Sequence, residues 1–234
     1  MKKTLSFLLL LSGLFCSDQA FAQLINIDYV DPWSLKTFRG EAVAGTSGDY
    51  WNMVTDYSGG AVLNLKDRQE NTTTVSISTQ VQMAPNPFYS GSGFSGTTNE
   101  NLMNSFIFSN DGATRSITFG GLNADSSYVL YLYTQGDDLS SGDKLGVSVN
   151  SVSYVTGQSD GSASSFIVNQ NYLQIDALTD SAGNLVINYW RVAGQANING
   201  IQLSSPIPEP ASIVLLGFGG IAVAMLKRRT ELVA

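Results

Sequence analysis

Apolar and polar residues alternate with period two along most of this chain, and an apolar run at each end breaks the alternation. In 24–30, Ile25, Ile27 and Tyr29 alternate with Asn26 and Asp28, which predicts a half-buried first strand. Segments 61–65 and 73–81 set Leu63 and Leu65 on one side, and Val75, Ile77 and Val81 on the other, of the polar turn 67–71, predicting a hairpin. Pro85 and Pro87 interrupt the pattern, and 91–98 (GSGFSGTT) predicts a flexible loop. Segment 105–108 fits a short strand or a single helical turn. After a strand at 116–119, Gly120, Gly121 and 123–126 turn the chain into 128–133 (YVLYLY). That run is apolar on both faces, so it belongs in the middle of a sheet, its tyrosine hydroxyls reaching polar groups at the margins. Strands follow at 146–149 and 153–155, a hairpin at 171–177 and 184–190 around the turn 180–183, and a last strand at 198–203. About ten short strands without intervening helices predict an all-β domain, an antiparallel β-sandwich of jelly-roll type.

The two apolar runs read as targeting segments. Lys2 and Lys3 precede the apolar stretch 5–15, and Ala20-Phe21-Ala22 places small residues where a signal peptidase needs them. This is the pattern of a secretory signal peptide over 1–22, with cleavage between Ala22 and Gln23 by signal peptidase during export. Gln23 as a new N-terminus can cyclise to pyroglutamate. The only cysteine, Cys16, follows Phe15 rather than a small residue, so no lipobox is present. At the other end Pro208, Glu209 and Pro210 precede an unbroken apolar run, 211–226, closed by Lys227, Arg228 and Arg229. A helix over that run is about 24 Å long, slightly short of a hydrocarbon core of about 30 Å. Three adjacent cations stop transfer and mark the cytoplasmic side. The expected organisation is a signal peptide (1–22), an exported β-sandwich (23–204) and a C-terminal segment (205–234) with a single transmembrane helix.

Composition narrows the chemistry. Between Gln23 and Ser204 stand 16 acidic and 7 basic side chains, a net charge of −9 against −7 for the whole chain. Nucleic-acid binding needs a cationic footprint, and this composition lacks one. The chain has no histidine, which removes the usual neutral-pH base, the commonest transition-metal ligand and any Ser-His-Asp arrangement. Without an exported cysteine there is no thiol nucleophile, no cysteine zinc site and no disulfide, so burial alone must hold the core. Carboxylate chemistry of the glycosidase type needs only two acids, but Glu41, Glu70 and Glu100 stand in no recognisable motif. The reading is a non-enzyme with no cofactor and no metal.

Candidate binding residues lie at 49–52. Asp49, Tyr50, Trp51 and Asn52 put two aromatic rings among polar side chains, and an exposed ring can stack on a sugar face while Asp or Asn takes its hydroxyls. The competing reading makes Trp51 a plug at one end of the sandwich, in keeping with the usual burial of tryptophan. Trp33 reads as packing, and Trp190 as a stacking platform or, preferably, a rim residue. Asp137, Asp138 and Asp143 cluster in a Gly/Ser loop with carboxylates for Ca²⁺, but the spacing is not that of an EF-hand and fits a solvated loop better. Asn71-Thr72-Thr73 matches the N-glycosylation pattern and is given little weight.

Two resemblances follow. The order Pro-Glu-Pro, apolar segment and basic cluster at 205–230 resembles the PEP-CTERM sorting signal of Gram-negative bacteria. The resemblance implies recognition and processing by an exosortase, transient anchoring by the C-terminal helix, and delivery to the cell surface or extracellular matrix. Within the domain, LINIDYV, FGGLNADSSYVLYLYTQGD, VSVNS, LVINY and ANINGIQL resemble malectin-like and galactose-binding-like jelly-roll modules. That resemblance implies the fold and, as a hypothesis, interaction with extracellular polysaccharide. The alternatives are a purely structural biofilm or matrix protein and a carboxylate-dependent glycoside-active enzyme.

Overall fold

The alternation resolves into two sheets that face each other across one core. The computed structural model describes residues 23–31, 33, 36–55, 59–82, 93–136, 142–157 and 161–205. The signal segment 1–22, Asp137 and Asp138, and the tail with Pro208, Glu209, Pro210, 211–226, Lys227, Arg228 and Arg229 lie outside the described residues. The strands are β1 (Leu24–Tyr29), β2 (Asn52–Val54), β3 (Ala61–Val62), β4 (Ser76–Thr79), β5 (Ile107–Ser109), β6 (Arg115–Gly120), β7 (Ser127–Tyr133), β8 (Lys144–Val149), β9 (Val152–Val155), β10 (Tyr172–Leu178), β11 (Leu185–Ala193), β12 (Ala196–Ile198) and β13 (Gly200–Ser204). One sheet has the order β10-β7-β13-β1-β2, the other β3-β4-β6-β11-β8-β9, and β12 pairs with β5 as a small third sheet. The pairing is antiparallel except between β1 and β2, where Ile27 stands opposite Asn52 in a parallel pair, a departure from the all-antiparallel expectation.

Side-chain alternation fills the core from both sides. Ile25, Ile27, Leu130, Leu132, Leu173, Ile175, Ile201 and Leu203 from the five-stranded sheet meet Ile77, Ile117, Phe119, Val147, Val149, Leu185 and Ile187 from the six-stranded sheet. β7 lies between β10 and β13, as a strand apolar on both faces should. The hairpin of β3 and β4 forms as expected, with Val62 opposite Ile77. Its turn is built by the Asp67 carboxylate, which accepts the backbone N–H groups of Gln69 and Asn71. β8 and β9 form a second hairpin through Asn150 and Ser151, both at positive φ (49° and 65°), the geometry of a tight two-residue turn.

Three expectations need correction. The segments 171–177 and 184–190 are not a hairpin, because β10 and β11 belong to opposite sheets. Asp180 does make a turn, accepting the N–H groups of Ala182 and Asn184, but the chain leaves it across the sandwich. The connection from β6 to β7 makes the same crossing, and the two arches are hydrogen-bonded, with Asp125 N–H donating to Asp180 O and Leu122 N–H to Gly183 O. Second, a one-turn helix, α1 (Glu100–Met103), precedes β5 and buries Leu102 and Met103. Third, the stretch expected as a flexible loop holds Phe94, which is buried and packs 5.1 Å from the Phe166 ring.

Candidate functional site

The candidate residues 49–52 are used to fasten a strap. From Phe38 to Tyr50 the chain crosses the outer face of the five-stranded sheet, where a second apolar cluster forms from Phe38, Trp51, Phe94, Leu102, Met103 and Tyr133. The strap is pinned from below by polar residues of the sheet. Tyr133 Oη accepts the Val43 N–H and donates to Gln202 Oε1, which also accepts the Ala44 N–H. Gln202 Nε2 donates to Ala44 O and Asn26 Oδ1, and Asn26 Nδ2 donates to Tyr50 O. Burial raises the Tyr133 hydroxyl pKa far above its usual value, so it serves as a neutral donor.

Each of the four residues has a packing or fastening role here. Trp51 is 2% exposed, with Phe38 edge-on at 5.0 Å and its indole N–H donating 3.0 Å to Gly40 O. A ring so enclosed has no free face for a sugar, which corrects the stacking role considered for it. Asp49 accepts the Thr46 N–H and hydroxyl and pairs with Arg68 at 3.2 Å. Asn52 donates to Asn26 O and Lys66 O and accepts the Lys66 N–H. The Arg39 guanidinium, at 4.9 Å, and the Lys66 ammonium, at 5.1 Å, both lie over the Tyr50 ring. Both cations bond to Glu70, and the Arg39 bond, followed by that of Lys66, holds its carboxyl below the usual glutamate range. The polar neighbours that suggested an exposed binding loop are therefore fasteners.

Beneath the strap lies Asp28. Its Oδ2 accepts the Phe38 N–H at 3.1 Å, while its Oδ1 is buried without a hydrogen-bond partner. Burial raises its pKa well above the ordinary value, against the smaller lowering effect of the Phe38 bond. Glu100 is likewise engaged, accepting the Gly96 N–H and the Asn104 side-chain amide. Asp143 is buried and accepts from Gln195 N–H and Asn197 Nδ2. Among the described residues no group of three or more His, Cys, Asp or Glu could hold a metal ion.

The outer face of the six-stranded sheet has a different character. Ile117, Phe119, Ile187, Tyr189, Val147 and Val149 point into the core, so the residues between them point out. One outward row runs Ser116, Asn188, Ser148, Ser153 across β6, β11, β8 and β9. At about 4.8 Å between strands, that row of hydroxyls and one amide is about 14 Å long. Beside it Trp190 stands opposite Gly146, which stands opposite Val155. The indole rests on the glycine: a Cβ at position 146 would lie 2.3 Å from Trp190 Cε2 and 2.5 Å from Nε1. Just beyond, the register shifts between Arg191 and Ala193, a bulge that re-aims the strand next to the ring. Trp190 is thus a half-buried aromatic seated on a strand face. The residue missed in the sequence is Gly146, whose position inside a strand pattern signals the close approach of another group. Trp33, expected to pack, is 80% exposed.

The tail decides the sorting class. Residues 206–229 match the PEP-CTERM protein-sorting motif. The PEP-CTERM match spans Pro208-Glu209-Pro210, the apolar run and the three basic residues, and marks an exported, exosortase-processed protein of the cell envelope. No curated protein matches the chain. Among solved structures, a family 35 carbohydrate-binding module from Clostridium thermocellum is similar at 17% identity and a TM-score of 0.33, over 63% of this chain and 99% of that one. The CBM35 from Cellvibrio japonicus Abf62 is similar at 17% identity and a TM-score of 0.30, over 43% and 72%. A calcium-binding mutant of Bacteroides uniformis β-glucuronidase 2 is similar at 13% identity and a TM-score of 0.39, over 67% of this chain but 20% of that enzyme. Likenesses this distant do not bear on ligand or site.

Proposed function

We propose that this PEP-CTERM protein, exported by a signal peptide at 1–22 and released from its C-terminal helix by an exosortase, displays the β-sandwich of 23–204 to extracellular polysaccharide. The outer face of the six-stranded sheet is the binding surface and Trp190 its stacking platform. The observation that carries this reading is the seating of Trp190 on Gly146 beside the row of Ser116, Asn188, Ser148 and Ser153. An indole provides the flat apolar area that a sugar ring packs against, and hydroxyl and amide groups exchange hydrogen bonds with sugar hydroxyls. None of the four residues in the row is charged, so binding should vary little with salt. The test is binding of the processed protein to a glycan array and to polysaccharide from its own host. Trp190→Ala should weaken binding at least about tenfold, equivalent to about 1.4 kcal/mol. Unchanged binding would remove Trp190 from the site, and no saturable binding by the native protein would favour a structural matrix role.

A further inference from the structure

The first and last described residues are partners. Gln23 N–H donates to Ser205 Oγ at 2.7 Å, and Ser205 N–H donates to Gln23 O at 2.8 Å. These bonds extend the antiparallel register in which Leu24 stands opposite Ser204 and Ile25 opposite Leu203. The strand that ends here is not an edge. β13 is bonded on one side to β1 and on the other to β7, with Ile201 and Leu203 fully buried. The pole is closed further by the 67–71 turn, where Arg68 N–H donates to Leu24 O and Asp67 bridges to Ile25. Gln23, which follows the expected signal-peptidase site, and Ser205, which precedes the sorting motif, are therefore side by side on the folded domain.

The chain between fold and motif is short. Only Pro206 and Ile207 separate Ser205 from Pro208, so three Cα steps, about 10–11 Å fully extended, span the gap. Pro206 has no N–H with which to continue the ladder. More chain can be released only by pulling a central strand from both neighbours.

We propose that this closed pole is the face the domain presents to its membrane-embedded processing enzyme, and that the Gln23–Ser205 clasp, by fixing where the tail leaves, limits the enzyme's access to Pro208-Glu209-Pro210. The proposal rests on processing at the PEP-CTERM motif. A protease takes its substrate as an extended segment, and here only Pro206 and Ile207 stand in the sequence between the motif and Ser205, whose backbone N–H is bonded to Gln23 O. Folding of the domain thus sets the rate of release from the membrane.

The test follows loss of the tail by pulse-chase and intact mass, using the full chain in a host with an active exosortase. A Gly/Ser insertion of about ten residues between Ser205 and Pro206 adds about 17 Å of flexible reach and should speed cleavage several-fold. Ser205→Ala removes the acceptor for Gln23 N–H and should speed it less. The insertion should leave the thermal midpoint of the domain unchanged, which separates access from unfolding. A rate unchanged or lowered by the insertion overturns the proposal while leaving processing at the motif intact. Absence of cleavage in every variant, the native chain included, overturns both.

Discussion

The two sheets of this sandwich differ in what lies on their outer faces, and two tryptophans mark the difference. The five-stranded sheet is roofed by a strap and α1, and Trp51 is enclosed between them. Among the described residues the outer face of the six-stranded sheet is bare of any such strap, and Trp190 lies on it against Gly146. On the roofed side Asn26, Gln202 and Tyr133 point outward from their strands, and their side chains bond to one another and to the strap backbone at Val43, Ala44 and Tyr50. On the bare side Ser116, Asn188, Ser148 and Ser153 are left to face solvent or ligand. Polar residues on an outward face thus signal either a fastened covering or an open surface, and only the presence of a segment to cover them decides which.

The strongest way to break this comparison is to remove the ring under the roof. Trp51→Ala should cost about 3–5 kcal/mol, as expected for truncating a buried aromatic, and lower the thermal midpoint sharply. An unchanged midpoint would mean that the strap is not part of the core. On the bare face, Gly146→Ala forces a Cβ into the space held by Trp190 and should cost about 1–3 kcal/mol while weakening polysaccharide binding as the ring lifts. Retained affinity would show that the seating of the ring is irrelevant to binding.

A third test concerns the charge beneath the roof. Because burial raises the Asp28 pKa in the folded state, the native chain keeps a proton that the unfolded chain releases near its ordinary value of about 3.9. The stability contributed by Asp28 is therefore whole below that value and declines as pH rises toward the folded one. Asp28→Asn should flatten the decline and raise the midpoint at neutral relative to acid pH. Melts at several pH values that fall in parallel for both proteins would assign the decline to another group. The smallest stability effect belongs to Trp190→Ala, expected to change stability by about 1 kcal/mol or less because the ring is only half buried.

Much of the fold was legible because alternation reports burial directly. The inward set of β1 (Ile25, Ile27 and Tyr29) was readable residue by residue, the strands β7, β10 and β11 were readable as segments, and the 67–71 turn announced its hairpin. Alternation does not report which sheet a strand joins. Leu173 and Ile175 face the same core as Leu185 and Ile187 from opposite sides, so the Asp180 turn could be read as a hairpin when it is an arch. The site was less legible. Asp49 and Asn52 made Trp51 look exposed, but their side chains bond to Thr46, Arg68, Asn26 and Lys66, partners brought together only by the fold. Gly146 was the one local clue to the opposite face, and it acquires meaning only in register with Trp190.

The meeting of Gln23 and Ser205 also has a mechanical meaning. Tension applied between two ends that emerge together from antiparallel neighbours loads the Gln23–Ser205 bonds first, then the Leu24–Ser204 pair, and so on down the ladder. Bonds strained one after another yield at low force, whereas a module with its ends at opposite poles must shear a whole ladder at once. This domain is therefore a weak link if strung into a fibre by both ends. Hung by its tail alone, it carries no load across β1 at all. Its architecture is that of a pendant, not of a chain link.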